Sequence, residues 1–557
     1  MSDTSRTTLP GPAPTGRRAA GRPDSSSGRF LARAAAVTAA LTVAGAVLGL
    51  LRDQTFAHVF GADTDTDAFL VAWTVPEVAA TLLIEDGLAL VLVPAFSLAA
   101  LRRGRGGPDP VRALVAATLP RLMLALAALS ALLIATAPAL VDLLAPGLPE
   151  PGVAVDCTRA TSTCALTFGL AGYCSAALRG HGRFLAPATI YVAYNVGIIT
   201  VLLAFGGRWG VRAAAAGVAA GGALMVAAQA PSLWRLRRHP APAPSAPRPA
   251  SPPPTPSREP TGALRLAMVA PVVVFALSRQ CQTLVERHLA APLPAGAISH
   301  LNYAQKVAQM PMVLSLMLCT VTFPVVARAL AAGETERARR RVEGDLMVAG
   351  AIVLLGAAVV IGCAPQIVEV LFQRGAFGPA DTAATAAVMR VYALGLLAQT
   401  VVGVLVRSYF SAARPTWYPA VTMLVCLAVT AAAGAWAAPV WGARGIAAAN
   451  ALGIATGALL LLAGTGRRSV GLARRRVGGE LLKLAAAGAG ASAACWWCAA
   501  QVADPLAALA TGALAAVAAF LALARAARVR GFAPLLLLLA LLRPLSRPLT
   551  RRPRHAR

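Results

Sequence analysis

Apolar runs of about 20 residues recur along almost the whole chain, separated by short polar stretches rich in Arg, Gly and Pro. A run of that length crosses the hydrocarbon of a bilayer as an α-helix, which satisfies its own backbone polar groups where no water is available. The runs do not alternate apolar with polar residues, so they do not read as the strands of a transmembrane barrel. They predict about fourteen spans, at 30–51, 66–99, 111–137, 157–178, 184–205, 211–234, 263–286, 298–329, 345–368, 384–410, 415–437, 443–463, 480–501 and 505–527. The second and eighth are overlong. Each holds an internal proline (Pro76, Pro311) and another near its end (Pro94, Pro324), which predicts kinked or broken helices.

Punctuation between the runs gives the domain organisation. Residues 1–29 are polar and lack an apolar core, so they read as a disordered cytoplasmic tail and not as a cleaved signal. A Pro-rich cytoplasmic linker at 235–262 contains PAPAPSAPRPASPPPTPSREP and separates two lobes of six spans, 30–234 and 263–463. Two further spans follow within 464–529. The last segment, 530–557, is a basic cytoplasmic tail, and its apolar stretch Pro534 to Leu542 is too short to cross. It either lies on the headgroups or is disordered. The lobes also resemble each other: Asp67 and Asn302 each precede a proline, Pro76 and Pro311, by nine residues, an offset of 235 that also carries Arg52 onto Arg287. Six intervening spans preserve chain direction. The expected fold is therefore all-α and integral to the membrane, with two six-helix lobes in parallel repeat, a pathway between them, and two C-terminal helices.

Composition agrees. Of 557 residues 57% are hydrophobic and 13% charged, and the mean hydropathy is +0.66, too little polar surface to clothe a soluble globule. A net charge of +28 would suggest nucleic acid in a soluble protein. Here the Arg and Lys residues gather in alternate loops and at both ends, and the alternation never breaks. That is the positive-inside pattern, with both termini cytoplasmic and an even number of spans. No nucleic-acid partner is expected. Cys495 and Cys498 form a Cys-Trp-Trp-Cys sequence inside a span, without a second ligand pair, and read as small hydrophobes. The six histidines lack metal spacing. No Walker A segment or G-x-S-x-G elbow is present, so neither a metal, a cofactor nor an enzymatic activity is expected.

Charges inside the spans carry what chemistry there is, because an ionisable group at membrane depth usually faces a cavity or a partner. Arg52 and Asp67 flank the first outer loop, and Glu77, Glu85 and Asp86 lie in the second span. Arg279 and Glu286 sit two turns apart on one face of the seventh, and Lys306 lies within the eighth. One reading turns Arg52, Arg279 and Lys306 into a shared cavity to hold a diphosphate, with guanidinium forks on its oxygens. The other pairs Arg52 with Asp67 and Arg279 with Glu286 for helix packing alone. The carboxylates Glu77, Glu85, Asp86 and Glu286 are candidates for ion or proton binding, or for gating.

The stretch Arg52 to Phe96, RDQTFAHVFGADTDTDAFLVAWTVPEVAATLLIEDGLALVLVPAF, resembles the opening of the MurJ (MviN) family. Further similar segments are RFLAPATIYVAYN, SHLNYAQKVAQMP, TVTFPVVARALAAGE, LFQRGAFGPADT and RSYFSAARPTWYP. The resemblance implies a MOP-superfamily fold. It implies a flippase in the bacterial cytoplasmic (inner) membrane that moves the undecaprenyl-diphosphate-linked peptidoglycan precursor lipid II by alternating access. Its partners would be that lipid-linked precursor, membrane lipids, and cell-wall synthesis or division proteins. Arg52 and Asp67 match positions important in the family, and Lys306 stands where an Arg is usual; with Arg279 these are the expected substrate-binding residues. Ala46 and Ala80 stand where many members carry further arginines, and Glu85-Asp86-Gly87 replaces the common Glu-Gly-Ala. These departures leave open a divergent paralogue: an exporter of another lipid-linked oligosaccharide or of a drug, or a non-transporting scaffold for cell-wall assembly.

Overall fold

A computed structural model describes residues 25–85, 87–102, 109–238, 262–320, 323–410, 416–466 and 469–529. Each predicted span coincides with a helix or a broken helix among these residues. The linker from His239 to Thr261 and the basic tail after Val529, with its short apolar stretch, lie outside them. So does most of the predicted N-terminal tail, although the first helix, Ser25–Phe60, begins inside it.

Among the described residues ten helices are long and apolar enough to cross alone, and Pro379–Leu394 with Leu396–Phe410, bent by 45°, adds an eleventh. The predicted fourth, seventh and eighth spans fall short for a physical reason. The fourth and eighth are divided, at Thr163 and at Gln309, and the seventh, Gly262–Ala290, carries Arg279, Glu286 and Arg287. A helix that faces a polar interior sacrifices hydropathy on that face.

The first helix corrects the predicted boundary at residue 51. It continues to Phe60, so Arg52 lies inside the helix and not at its end. Aromatic packing extends it: Phe56 contacts Phe60 and Phe69 at ring-centroid separations of 5.2 and 4.7 Å. Gly61, at φ +70°, then turns the chain. Asp63 caps the next helix through a 2.9 Å bond from the Thr66 N–H.

The predicted breaks fall just before the matched prolines. In the second span Thr64–Ala72 gives way at Trp73 to Thr74–Ala79, then to a π-helical turn, Ala80–Glu85, and to Gly87–Leu101. Pro76 cannot donate to the Ala72 carbonyl, and Thr161 Oγ1 takes that carbonyl at 3.1 Å. The eighth span breaks likewise at Gln309, ahead of Pro311, between Ala297–Ala308 and Met310–Thr320. The two C-terminal helices, Arg474–Ala499 and Pro505–Ala526, pack against the ninth span, Thr335–Gly362, and its continuation Ala364–Phe372. At that junction Cys495 meets Cys363 at 3.3 Å between sulfurs, so the Cys-Trp-Trp-Cys pair is not a unit.

Contacts between the lobes gather at one end. The His58 carbonyl accepts from the Ala376 N–H at 2.9 Å, and the Leu143 carbonyl lies 3.0 Å from Nδ1 of His288. Asp67 accepts from the Gly296 N–H at 2.8 Å and from Ser299. Beyond them lies a cavity between the lobes, which Asp53–Lys306, Glu77–Arg287 and Thr81–Gln280 still bridge.

Candidate functional site

The cavity has two connected parts, of about 420 Å³ and about 540 Å³, which share Glu77, Phe275, Arg279, Gln280 and Val406. The N-lobe part is lined by Arg52, Trp73, Ala80, Glu85 and Tyr191. Lys306, Arg287, Glu286 and a set of carboxamides line the C-lobe part. Its position follows from the breaks: Trp73 sits at the first kink, and the turn at Ala80–Glu85 widens the helix where Ala80 faces the space.

At the seam between the parts, two cations from different lobes share one carboxylate. Arg52 reaches Asp53 at 2.7 Å and Oδ1 of Asn195 at 3.1 Å. Lys306 Nζ lies 3.0 Å from the other oxygen of Asp53. The Arg52 guanidinium lies 4.6 Å from the Trp73 ring centroid, and the Lys306 ammonium 5.9 Å from it. One bridging carboxylate and one π-face offset part of the repulsion between the two cations and leave the cluster net positive. Sequence reasoning missed Asp53 as a site residue, although the Arg-Asp pair was visible; adjacency in sequence does not reveal that the Asp would also hold a lysine 253 positions away. It also missed Arg287, which donates to Glu77 at 2.8 Å and to the Thr74 hydroxyl, tying the lobes together. Its repeat partner Arg52 was the available signal.

Both packing pairs expected from sequence give way. Asp67 does not meet Arg52, because the extension of the first helix to Phe60 separates them. Instead Asp67 is buried outside the cavity lining, and its oxygens accept from the N–H groups of Gly296 and Ser299 at 2.8 and 2.7 Å and from the Ser299 hydroxyl at 2.5 Å. It therefore caps the first turn of Ala297–Ala308 from the opposite lobe, a stabilising arrangement of an anion at a helix N-terminus. Glu286 does not pair with Arg279. Its oxygens accept from the Tyr392 hydroxyl at 2.5 Å and from Asn450, both within its own lobe. Arg279 lines both parts of the cavity. Glu85 accepts from the Tyr191 hydroxyl at 2.8 Å. Asp86 lies outside the described residues. Among those residues no group of three or more His, Cys, Asp or Glu is arranged to hold a metal.

The family model described as lipid II flippase MurJ matches residues 56–512. Lipid II flippase MurJ of Burkholderia cenocepacia is 26% identical over 447 residues, covering 79% of this chain and 84% of that protein. A probable lipid II flippase MurJ of Rhizobium meliloti is 26% identical over 445 residues, 76% of this chain and 79% of the relative. Among solved structures, a lipid II flippase MurJ in an inward closed conformation superposes with a TM-score of 0.70 at 17% identity, over 90% of this chain and 99% of that one. An inward-facing MATE family transporter of the MOP superfamily gives 0.58 at 14% identity, over 81% of this chain and 99% of that one. The two lobes, the interlobe cavity and a match that runs through nearly all the described spans make one assignment: the chain belongs to the lipid II flippase MurJ family.

Proposed function

We propose that this chain moves lipid II, the undecaprenyl-diphosphate-linked peptidoglycan precursor, across the bacterial cytoplasmic membrane by alternating access of its two lobes. It is a transporter and makes or breaks no bond. One observation carries the reading: Arg52 and Lys306, from different lobes, both line the cavity and converge on Asp53 beside it. A diphosphate entering there replaces Asp53 as counter-ion. The Arg52 fork binds its oxygens bidentately and Lys306 acts as a point charge. With Arg279 and Arg287 on the same cavity, the cations lost at Ala46 and Ala80 are partly replaced. The polyprenyl tail remains in lipid.

Orientation supports the same reading. If both termini are cytoplasmic, as the Arg distribution favours, the contacts around His58, Asp67 and Ala376 lie on the outer side. The cavity is then poised to load from the cytoplasm. Glu286, buried against Tyr392 and Asn450, is our candidate for ion or proton coupling, and Asp67 and Glu77 for gating. Export of a cationic drug is less well supported, since Glu77 and Glu85 are engaged by Arg287 and Tyr191.

Complementation tests the reading. The chain is expected to sustain growth of a flippase-depleted bacterium, whereas Lys306→Ala and Arg279→Ala are expected to fail at equal membrane abundance. Failure of well-expressed wild-type protein would remove the assignment. Translocation of labelled lipid II into vesicles, under imposed Na⁺, proton or voltage gradients, identifies the driving force.

A further inference from the structure

The C-lobe wall of the cavity differs chemically from the Arg52–Asp53–Lys306 seam. On the helix Ala297–Ala308 and its C-cap, Asn302, Gln305, Lys306 and Gln309 follow one another at spacings of three, one and three, so they share a face. Gln399 and Arg407, two turns apart on Leu396–Phe410, line the same space. All are half-buried. Among the described residues the carboxamides of Asn302, Gln305, Gln309 and Gln399 make no side-chain hydrogen bond, and Asn302 Nδ2 is fully buried without a partner. Elsewhere on this wall carboxamides are engaged: Gln282 donates to Thr430 at 2.9 Å and Gln280 to Thr81 at 2.8 Å. Asn302 Nδ2, buried and unmade, costs about 1–3 kcal/mol, and the amides of Gln305, Gln309 and Gln399 line the cavity without a hydrogen bond to another described residue.

We infer that this wall is the subsite for the sugar and peptide portion of the cargo, with the four carboxamides reading its hydroxyl, acetamido and peptide groups while the seam holds the diphosphate. The inference rests on the lipid II reading. A carboxamide offers two donors and an acceptor without a charge to desolvate, which matches ligands rich in neutral hydroxyl and amide groups. It would match a bare diphosphate or a hydrophobic cation poorly. Arg407 adds a cation to the same wall, suited to a carboxylate of the peptide stem. Selectivity for the whole headgroup would then come from hydrogen bonds that a shorter lipid diphosphate cannot make, the kind of contact that discriminates strongly when its partner is missing.

Binding of two ligands to the purified full chain separates this subsite from the seam. Lipid II and undecaprenyl diphosphate, which lacks sugar and peptide, are titrated by native mass spectrometry against wild type, Gln305→Leu with Gln399→Leu, and Lys306→Ala. The double glutamine variant is expected to lose about tenfold in lipid II affinity, the equivalent of one to two hydrogen bonds, with undecaprenyl diphosphate affinity and melting temperature unchanged. Lys306→Ala should weaken both ligands. Equal losses for the two ligands in the glutamine variant, no loss for either, or a wild type that binds both equally would each overturn the subsite. A wild type that binds neither ligand removes the flippase reading and the subsite with it.

Discussion

Asp53 accepts from a guanidinium of one lobe and an ammonium of the other, so its charge is worth more than either pair alone. Arg52 and Asp53 are 13% and 15% exposed and Lys306 is 34% exposed, which places the cluster between a sealed ion pair and a surface one. A double-mutant cycle of Asp53→Ala with Lys306→Ala is expected to return a coupling of about 1–2 kcal/mol in thermal unfolding. Additive losses would show that the two groups merely lie near each other. Ligand binding gives an independent expectation: Arg52→Ala weakens lipid II binding, whereas Arg208→Ala, at the end of Ile190–Trp209, leaves it unchanged. Native mass spectrometry of the two variants at matched lipid concentrations decides this, and equal affinities would count against the cavity assignment. The sequence singles out Arg52, Arg279 and Lys306 for a shared cavity, and all three line it. Partnership was not legible. Arg52 pairs with its neighbour, Arg287 reaches Glu77 across the lobes, and Glu286 finds Tyr392 and Asn450, because pairing depends on how two lobes meet, which no local spacing encodes.

At the scale of helices, each apolar run coincides with a helix or broken helix, and among the described residues ten or eleven are long and apolar enough to cross. Pro76 and Pro311 mark breaks in the second and eighth, while Pro94 lies within an unbroken helix. The seam between the first two spans was misjudged because hydropathy falls at Arg52 while the backbone remains helical to Phe60, sustained by Phe56 and Phe69. That extension decides the fate of Asp67, which becomes a helix cap where a counter-ion for Arg52 was expected. Asp67→Ala removes an anion from the first turn of Ala297–Ala308 and leaves the N–H groups of Gly296 and Ser299 without it. A loss of about 1–2 kcal/mol is expected in thermal unfolding. Gly296 should be as intolerant. It has φ +88°, and a Cβ added there would stand 2.6 Å from the Ala62 carbonyl oxygen of the other lobe, so Gly296→Ala both strains the backbone and pushes the lobes apart. Faster alkylation of a cysteine introduced at Thr74 is the expected sign of that separation in both variants. Unchanged labelling would confine their effect to local helix stability.

For the molecule as a whole, the contacts at His58, Asp67, Thr74 and Ala376 form one closure, and alternating access requires that closure to open. Between lobes that are each well packed, such a closure behaves as a two-state element: its bonds are made together in one state and released together in the other. A covalent tie across it should therefore hold the cavity in one state without damaging either lobe. Asp67 and Ser299 bring their side chains to 2.5 Å, so Asp67→Cys with Ser299→Cys, in a background with the nine native cysteines replaced, is expected to form a disulfide under mild oxidation. The tied protein should still bind lipid II from the open side, because the seam at Arg52 and Lys306 is untouched, but it should not release it on the other. Translocation in vesicles is expected to fall to background on oxidation and to return on reduction, with binding retained throughout. Full transport by the oxidised protein, with cross-linking verified by mass, would mean that this end of the molecule does not have to open, and the route between the lobes would have to lie elsewhere.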